Sequence, residues 1–359
     1  MGIFKSKLTP LIGLDMGSSS LKWVELSQDD KFGLVLERCV LEPLVPGWIV
    51  AGRIEQFDEV AAALRRLVKA SGSTTRSVAL AMPDSTVITT KLLLSSDLGE
   101  AERMAHIEAE VERLSGRPWV DMSVDFAVKV RAQAPRQHNE LEVLITAADK
   151  ERVQDRLGLA ESAGLKPVVV DVETPAAMRA VRQLISARAV VPADPVVLIQ
   201  VGTEVSSLHV THQGQIVHAA HQPLGGARLT ELIAQAYGLK ESDAEGQKCT
   251  ESLPEDYSQA VLQPFMKKLA DGLVSELDAF ISANSSRKID TIFISGGSSV
   301  LPGLQAAIKR QTIFECIQAD PFSGMLLGKA VDGHALQNLA RAGMLTACGL
   351  ALRRFHRSC

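Results

Sequence analysis

Residues 11–26 read LIGLDMGSSSLKWVEL. Leu11, Ile12 and Leu14 form a strand pattern, Asp15, Gly17, Ser18, Ser19 and Ser20 a sharp turn, and Leu21, Trp23, Val24 and Leu26 a returning strand. The stretch is therefore expected to be a β-hairpin with a Gly/Ser tip. Gly17 lets the backbone approach a bound group, and the three serines offer the main-chain N–H and hydroxyl donors that phosphate oxygens accept. Lys22 adds a positive charge from the second strand. Asp15, ending the first, is placed to hold a divalent cation directly or through water.

Working outward, 359 residues exceed one small core and suggest a two-lobed or two-domain chain. Charge is balanced, Lys+Arg 38 against Asp+Glu 42 for a net of -4, so no basic field points to nucleic acid. The cysteines, Cys39, Cys249, Cys316, Cys348 and Cys359, are scattered, odd in number and without C-x-x-C spacing. That pattern favours a reducing cytoplasm over a disulfide frame or a zinc site. No apolar stretch of signal length precedes Asp15 and no run of about 18 apolar residues occurs, so a soluble intracellular protein is expected. Met1-Gly2 with Ser6 matches the short myristoylation pattern only formally.

After the hairpin the pattern predicts a strand over 32–41, the Pro/Gly-rich loop EPLVPGWIVAGR, and a helix over 56–71 stopped by Gly72. Strands at 78–82 and 87–94 follow. A charged amphipathic helix over 99–116 then leads into a long hairpin, whose alternating segments 122–130 and 141–145 are joined by QAPRQHNE. A helix over 150–163 ends at Gly164, PVVVDV forms a strand, and Thr174-Pro175 opens another helix as N-cap and first-turn proline.

The linker VVPADP ends at Pro195, and the opening order then recurs. It runs strand 196–201, turn Gly202-Thr203-Glu204, strand 207–211, strand 215–221 and helix 226–238. Gly202 stands where Gly17 stood. Internal duplication implies a two-lobed α/β fold.

Asp15-x-Gly17-Ser18-Ser19-Ser20-x-Lys22 after an apolar strand resembles the first phosphate loop of the actin, Hsp70 and sugar-kinase superfamily. More narrowly it resembles the PilM family of type IV pilus assembly, relatives of the division protein FtsA. Ala244-Glu245-x-x-Lys248 is similar to the helix whose acidic and basic groups hold ribose and adenine in FtsA-like proteins. TIFISGGSSVLPGL, with Gly296, Gly297 and Ser298, is similar to their adenosine loop. LPEDY at 253–257, the long helix to about 285 and the terminal ACGLALRR are similar in the same places. The resemblance implies an actin-like (ribonuclease H-like) fold holding ATP or ADP with Mg²⁺ between its lobes. It assigns Asp15, Gly17, Ser18, Ser19, Ser20 and Lys22 to the first loop, Asp15 also to the metal through water. Gln200, Gly202, Thr203, Gly225 and Gly226 go to the second loop, and Glu245, Lys248, Gly296, Gly297 and Ser298 to the nucleoside.

It also implies an organisation and partners. Residues 1–94 open subdomain 1A and 95–165 form an inserted 1C-like partner-binding module. Residues 166–194 complete 1A with the connecting helix, and 195–230 open subdomain 2A. Residues 231–288 form a 2B-like helical insert, 289–332 complete 2A, and 333–359 return as a C-terminal helix to lobe 1. The implied partners are the cytoplasmic N-terminal peptide of PilN and, with it, proteins of the pilus motor or inner-membrane complex. Membrane association is then indirect, and a homo-oligomer is compatible. Met104, Ile107, Val111, Phe126 and Val128 are candidate linings of a peptide groove, or plain core.

The sequence departs from the pattern at Gln200, where the second loop should begin with aspartate. The change removes one negative group from the metal site, so nucleotide binding is expected with weak or absent hydrolysis. Glu173, opening the connecting helix, stands where a water-orienting residue belongs, although the macrodipole alone favours glutamate there. The alternatives are an active ATPase or kinase of the superfamily and an FtsA-like filament protein, whose usual amphipathic tail the ending LALRRFHRSC lacks. His209, His212, His218 and His221 lack helical zinc spacing, and no G-x-S-x-G elbow supports acyl transfer.

Overall fold

The computed structural model describes residues 10–29, 33–130, 140–187, 194–284, 288–333 and 341–355. The N-terminal basic segment with Met1-Gly2, most of QAPRQHNE, the start of VVPADP and the last four residues, HRSC, lie outside the described residues.

The chain opens with β1 (Ile12–Met16), β2 (Ser20–Asp29) and β3 (Gly33–Pro43), an antiparallel meander. A small hairpin, β4 (Ile49–Val50) with β5 (Arg53–Ile54), occupies the loop read as irregular. Then come α1 (Phe57–Ser71) and β6 (Ser77–Met82), β6 running parallel to β1. Gly72 ends α1 at φ 58, the left-handed geometry that glycine adopts without penalty. The inserted unit contains β7 (Val87–Ser95), α2 (Glu100–Ser115), β8 (Met122–Val130) and β9 (Glu140–Asp149). The chain returns through α3 (Lys150–Ser162), β10 (Lys166–Val172) and α4 (Glu173–Ser186).

The second lobe repeats the plan. β11 (Val196–Val201), β12 (Ser206–His212) and β13 (Gln215–Gln222) form the meander, followed by α5 (Gly226–Tyr237), α6 (Glu241–Cys249) and α7 (Gln263–Ala283). β14 (Thr291–Ser295), α8 (Leu304–Gln311) and β15 (Glu315–Gln318) complete it, and β16 (Leu326–Leu327) and α9 (Leu345–Leu352) follow. The sheet orders are β10-β6-β1-β2-β3-β16 and β13-β12-β11-β14-β15. Apart from β16 these are one topology used twice, with β1 and β11 as central strands.

Strand alternation decides what covers each sheet. In lobe 1, Ile12, Leu14 and Trp23 face Leu64 and Leu67 of α1 and Leu159 of α3. In lobe 2, Val197, Ile199 and Val201 face Leu269 and Leu273 of α7 and Ile308 of α8. The opposite faces meet in one core: Val24 and Leu26 of the first sheet and Leu198 and Phe293 of the second share it with Ala177, Val181, Leu345 and Ala351. Helices α4 and α9 thus lie between the lobes and join them.

Three expected boundaries shift. β7 pairs along its length with β9, Val87 opposite Ala148, so the boundary expected at 94/95 cuts away a strand of the inserted sheet. That sheet runs β7-β9-β8 and has its own core of Leu94, Ile107, Val111, Val143, Ile145 and Ala147. At its far end, α3 buries Leu159 and Ala160 in the lobe 1 core beside α1, while also touching β8 and β9 of the module. β16, expected in lobe 2, pairs parallel with β3 of lobe 1, Leu326 opposite Val35. The 231–288 insert is continuous with the lobe 2 core through Leu229, Ala244 and Leu269. The N-cap of α4 is Val172, not Thr174, whose hydroxyl is engaged elsewhere.

Candidate functional site

The first hairpin closes with Gly17 N–H donating to Ser20 O at 3.1 Å. A Cβ at Gly17 would sit 3.3 Å from Lys22 Nζ, so the glycine makes room for the lysine beneath the tip. Asp15 and Lys22 are register partners across β1 and β2, and Lys22 Nζ donates to Asp15 Oδ2 at 2.8 Å. Ser20 is buried and Ser19 exposed at the tip.

In the second hairpin Gly202 N–H donates to Val205 O at 3.0 Å. Its carbonyl, with that of Thr203, accepts from Gly226 N–H at 3.0 Å and Ala227 N–H at 2.8 Å, fixing the start of α5 on the turn. A Cβ on Gly225 would lie 2.5 Å from Thr203 O, and one on Gly226 would lie 2.3 Å from Ser298 Oγ. Only glycines allow the second turn, the head of α5 and the segment after β14 to meet. Gly296, at φ 100, passes Val201 O so closely that a Cβ would be 2.2 Å from it. Lys248 Nζ donates to Glu245 Oε2 at 2.5 Å, Thr230 Oγ1 at 2.7 Å and Gly226 O at 3.2 Å. Burial works against the Glu245 charge, but hydrogen bonds from Lys248 and Thr230 outweigh it and hold the carboxyl below the usual range.

The two hairpins face each other. Thr203 Oγ1 donates to Ser19 Oγ at 2.9 Å, and Ala51 N–H, on the small hairpin, donates to Glu204 Oε2 at 2.8 Å. The lobe 2 positions named from sequence thus converge on one side of this junction, with Asp15, Gly17, Ser19 and Lys22 on the other. Gln200 takes the register place of Asp15 in the repeat, paired across to Ser207 where Asp15 pairs with Lys22.

Glu173 opens α4 half-buried behind the first hairpin. Burial, then the negative charges of Asp15 and Asp84, push its carboxyl up to about 8, while Arg156 and Lys22 pull the other way. Near neutrality it is mostly protonated, so it is a poor base.

Three groups escaped the sequence reading. Asp84, just after β6, accepts from Thr174 Oγ1 at 2.6 Å and Thr174 N–H at 3.3 Å, and burial raises its pKa. Thr174 Oγ1 also lies 3.1 Å from His209 Nε2 of lobe 2. Burial, reinforced by His221 and His218, lowers His209 to about 3, so it is neutral. Arg156 on α3 is 2% exposed and donates to Gly52 O at 3.0 Å and more weakly to Met16 O at 3.5 Å. A signal existed for Arg156: it precedes Leu159 and Ala160 by three and four residues, placing an arginine on the apolar stripe. Asp84 and Thr174 are adjacent only in space.

A hydrated magnesium ion is held by oxygen ligands carrying negative charge. Asp15, the expected metal group, already has its carboxylate on Lys22, and Gln200 carries no charge. The residues present do not fit the magnesium site that the resemblance implies. The histidines have other contacts: His209 meets His221 edge-on at 5.3 Å, His218 lies over Phe280 at 5.4 Å, and His212 Nδ1 is 3.2 Å from Asp194. Among the described residues no group of His, Cys, Asp and Glu has a metal-holding arrangement, and no helix is long and apolar enough to cross a membrane.

Two duplicated sheets, helices packed between them and facing Gly-rich hairpins define a two-lobed actin-like protein. The family model for type IV pilus assembly protein PilM matches residues 13–355. The chain belongs to that family. Among solved structures, it is similar to the PilM-PilN type IV pilus biogenesis complex, with TM-score 0.80 and 24% identity over 97% of this chain and 99% of that one. It is also similar to the ethanolamine utilization protein EutJ from Carboxydothermus hydrogenoformans (TM-score 0.56, 16% identity, 95% and 88% covered). A nucleotide-free diol dehydratase-reactivating factor matches at TM-score 0.53 and 9% identity, covering 96% of this chain and 99% of that one.

Proposed function

We propose that this pilus assembly protein binds an adenine nucleotide, ATP or ADP, between its hairpins and works as a scaffold rather than a fast ATPase. The observation that carries the reading is the Ser19–Thr203 junction, with Lys22 beneath one tip and Gly225-Gly226 and Ser298 gathered behind the other. Main-chain N–H groups, serine hydroxyls and Lys22 suit the phosphates, while Glu245, Lys248, Gly296 and Gly297 suit the nucleoside. Glu173 is the candidate to orient water. A mostly protonated carboxyl behind the first hairpin, together with a second hairpin that lacks its aspartate, supports slow turnover.

The inserted module is the proposed seat of a PilN-type cytoplasmic N-terminal peptide. Its separate core, the edge strands β7 and β8, and the exposed Leu93, Met104, Phe126 and Val128 support docking by strand addition or apolar side chains. Ile107 and Val111, also considered for the groove, are buried in the module's core. Location at the inner membrane through this partner, coupling to the pilus motor and any self-association belong to the same proposal.

Calorimetric titration of the full chain with ATP, with and without the synthetic peptide, followed by phosphate release on the same sample, tests it. Binding of both with negligible release is expected. Rapid phosphate release without peptide binding overturns the scaffold reading in favour of a kinase or ATPase.

A further inference from the structure

We infer that this chain binds its nucleotide without requiring a divalent cation, because the protein supplies the positive charge itself, from Lys22 within the first hairpin and Arg156 behind it. The inference rests on the nucleotide reading above and deepens it.

At the tip of the first hairpin the carboxylate, Asp15, is engaged by Lys22 at 2.8 Å, with side-chain exposures of 9% and 12% for the two partners. In the second hairpin the equivalent place holds Gln200, whose register partners are Ser207 and Ser295. The strand ends therefore bring no unpaired carboxylate to share a hydrated ion, and Glu204, on the second turn, is already held by the Ala51 N–H. Glu173 remains, but one carboxyl flanked by two fixed cations is a poor divalent site, because the ion would face Lys22 and Arg156 together.

The basic groups complete the case. Arg156 is a buried guanidinium whose hydrogen bonds go to backbone carbonyls, Gly52 O and Met16 O, and it makes no ion pair with any described carboxylate. Glu173 and Asp15 act on it only through space, so the buried charge stays costly until a further opposite charge arrives nearby. Met16 O lies at the base of the phosphate hairpin, so a polyphosphate at Gly17–Ser20 is positioned to be that charge. The same guanidinium holds Gly52, beside the Ala51 N–H that reaches Glu204 of the second hairpin. Arg156 is thus a positioning residue for both tips as well as a source of field.

The test is calorimetric titration of the full chain with ATP, once in saturating magnesium and once in excess EDTA. The expected affinities agree to within about threefold. A loss of about tenfold or more in EDTA overturns the inference while leaving nucleotide binding intact. Absence of binding in both conditions overturns the nucleotide reading itself. Gln200→Asp restores a carboxylate and is expected to gain a magnesium preference of about tenfold; an unchanged ratio contradicts the charge argument. Arg156→Met is expected to weaken ATP binding more in EDTA than in magnesium. Should that variant fail to fold, Lys22→Met gives the same reading, since it frees Asp15 for a metal, and an equal loss in both conditions counts against the exchange.

Discussion

Glu173 joins the acidic and basic sides of the site, and its proton can be followed by stability. Its folded pKa, about 8, lies above the ordinary 4.5, so between these values the folded state keeps a proton that the unfolded state has lost. Stability from this group is therefore complete below about pH 4.5 and lost as the pH rises through about 8. Glu173→Gln should be more stable than the parent at about pH 9, by about 2 kcal/mol in urea unfolding, with the gap closing towards about pH 5. A constant gap across that range would place the carboxyl in water instead. At this scale the sequence was legible where chemistry is local: Asp15, Gly17 and Lys22 lie within one hairpin, so their spacing carried their relation. Asp84, Thr174 and His209 come from three distant segments, and no local pattern announces a hydrogen bond that only the folded lobes create.

Among the elements, α9 shows how backbone contact replaces side-chain packing. A Cβ on Gly13 of β1 would lie 1.9 Å from Ala347 O, and one on Gly349 would lie 1.8 Å from Ala176 O of α4. The helix therefore touches a strand on one side and a helix on the other at places without side chains. Arg179 secures the same crossing, donating to Gly349 O at 2.9 Å and to Asp171, which also receives Arg353 at 2.6 Å. Gly349→Ala should destabilise the protein by about 3 kcal/mol or more, read by thermal or urea unfolding, because backbone rather than a flexible side chain must move. A loss below about 0.5 kcal/mol would show that the helices can separate freely. The family resemblance implied a C-terminal helix returning to lobe 1, but its close contacts were not visible in the sequence. Nor was the β4–β5 hairpin, whose strands of two residues are too short for a period to register. Thr174 read as an N-cap because the residue type suits one; the fold spends its hydroxyl on Asp84 and caps the helix two residues earlier, at Val172.

Across the whole molecule, duplication was the legible feature. The order strand, turn, strand, strand, helix appears twice in the sequence, and both sheets follow it. Boundaries were less legible because they depend on pairing partners: β7 looks like a continuation of lobe 1 until β9 arrives to claim it, and β16 returns to lobe 1 after most of lobe 2 has formed. Since Val87 lies opposite Ala148, the ends of the module are neighbours and a short Gly/Ser linker can close the gap left by excising 87–148. The excised protein is expected to keep ATP affinity within about threefold and to lose the PilN-type peptide, both read by titration. Simultaneous loss of both would mean that module and nucleotide site are one unit.

If one nucleotide lies between the two hairpins, amide hydrogen exchange of the full chain with and without ATP reports it. ATP is expected to slow exchange in both tips, 16–22 and 201–205, together with 225–230 and 296–299, because these segments converge on the same junction. Protection confined to one lobe, or unchanged exchange at saturating ATP, would contradict it.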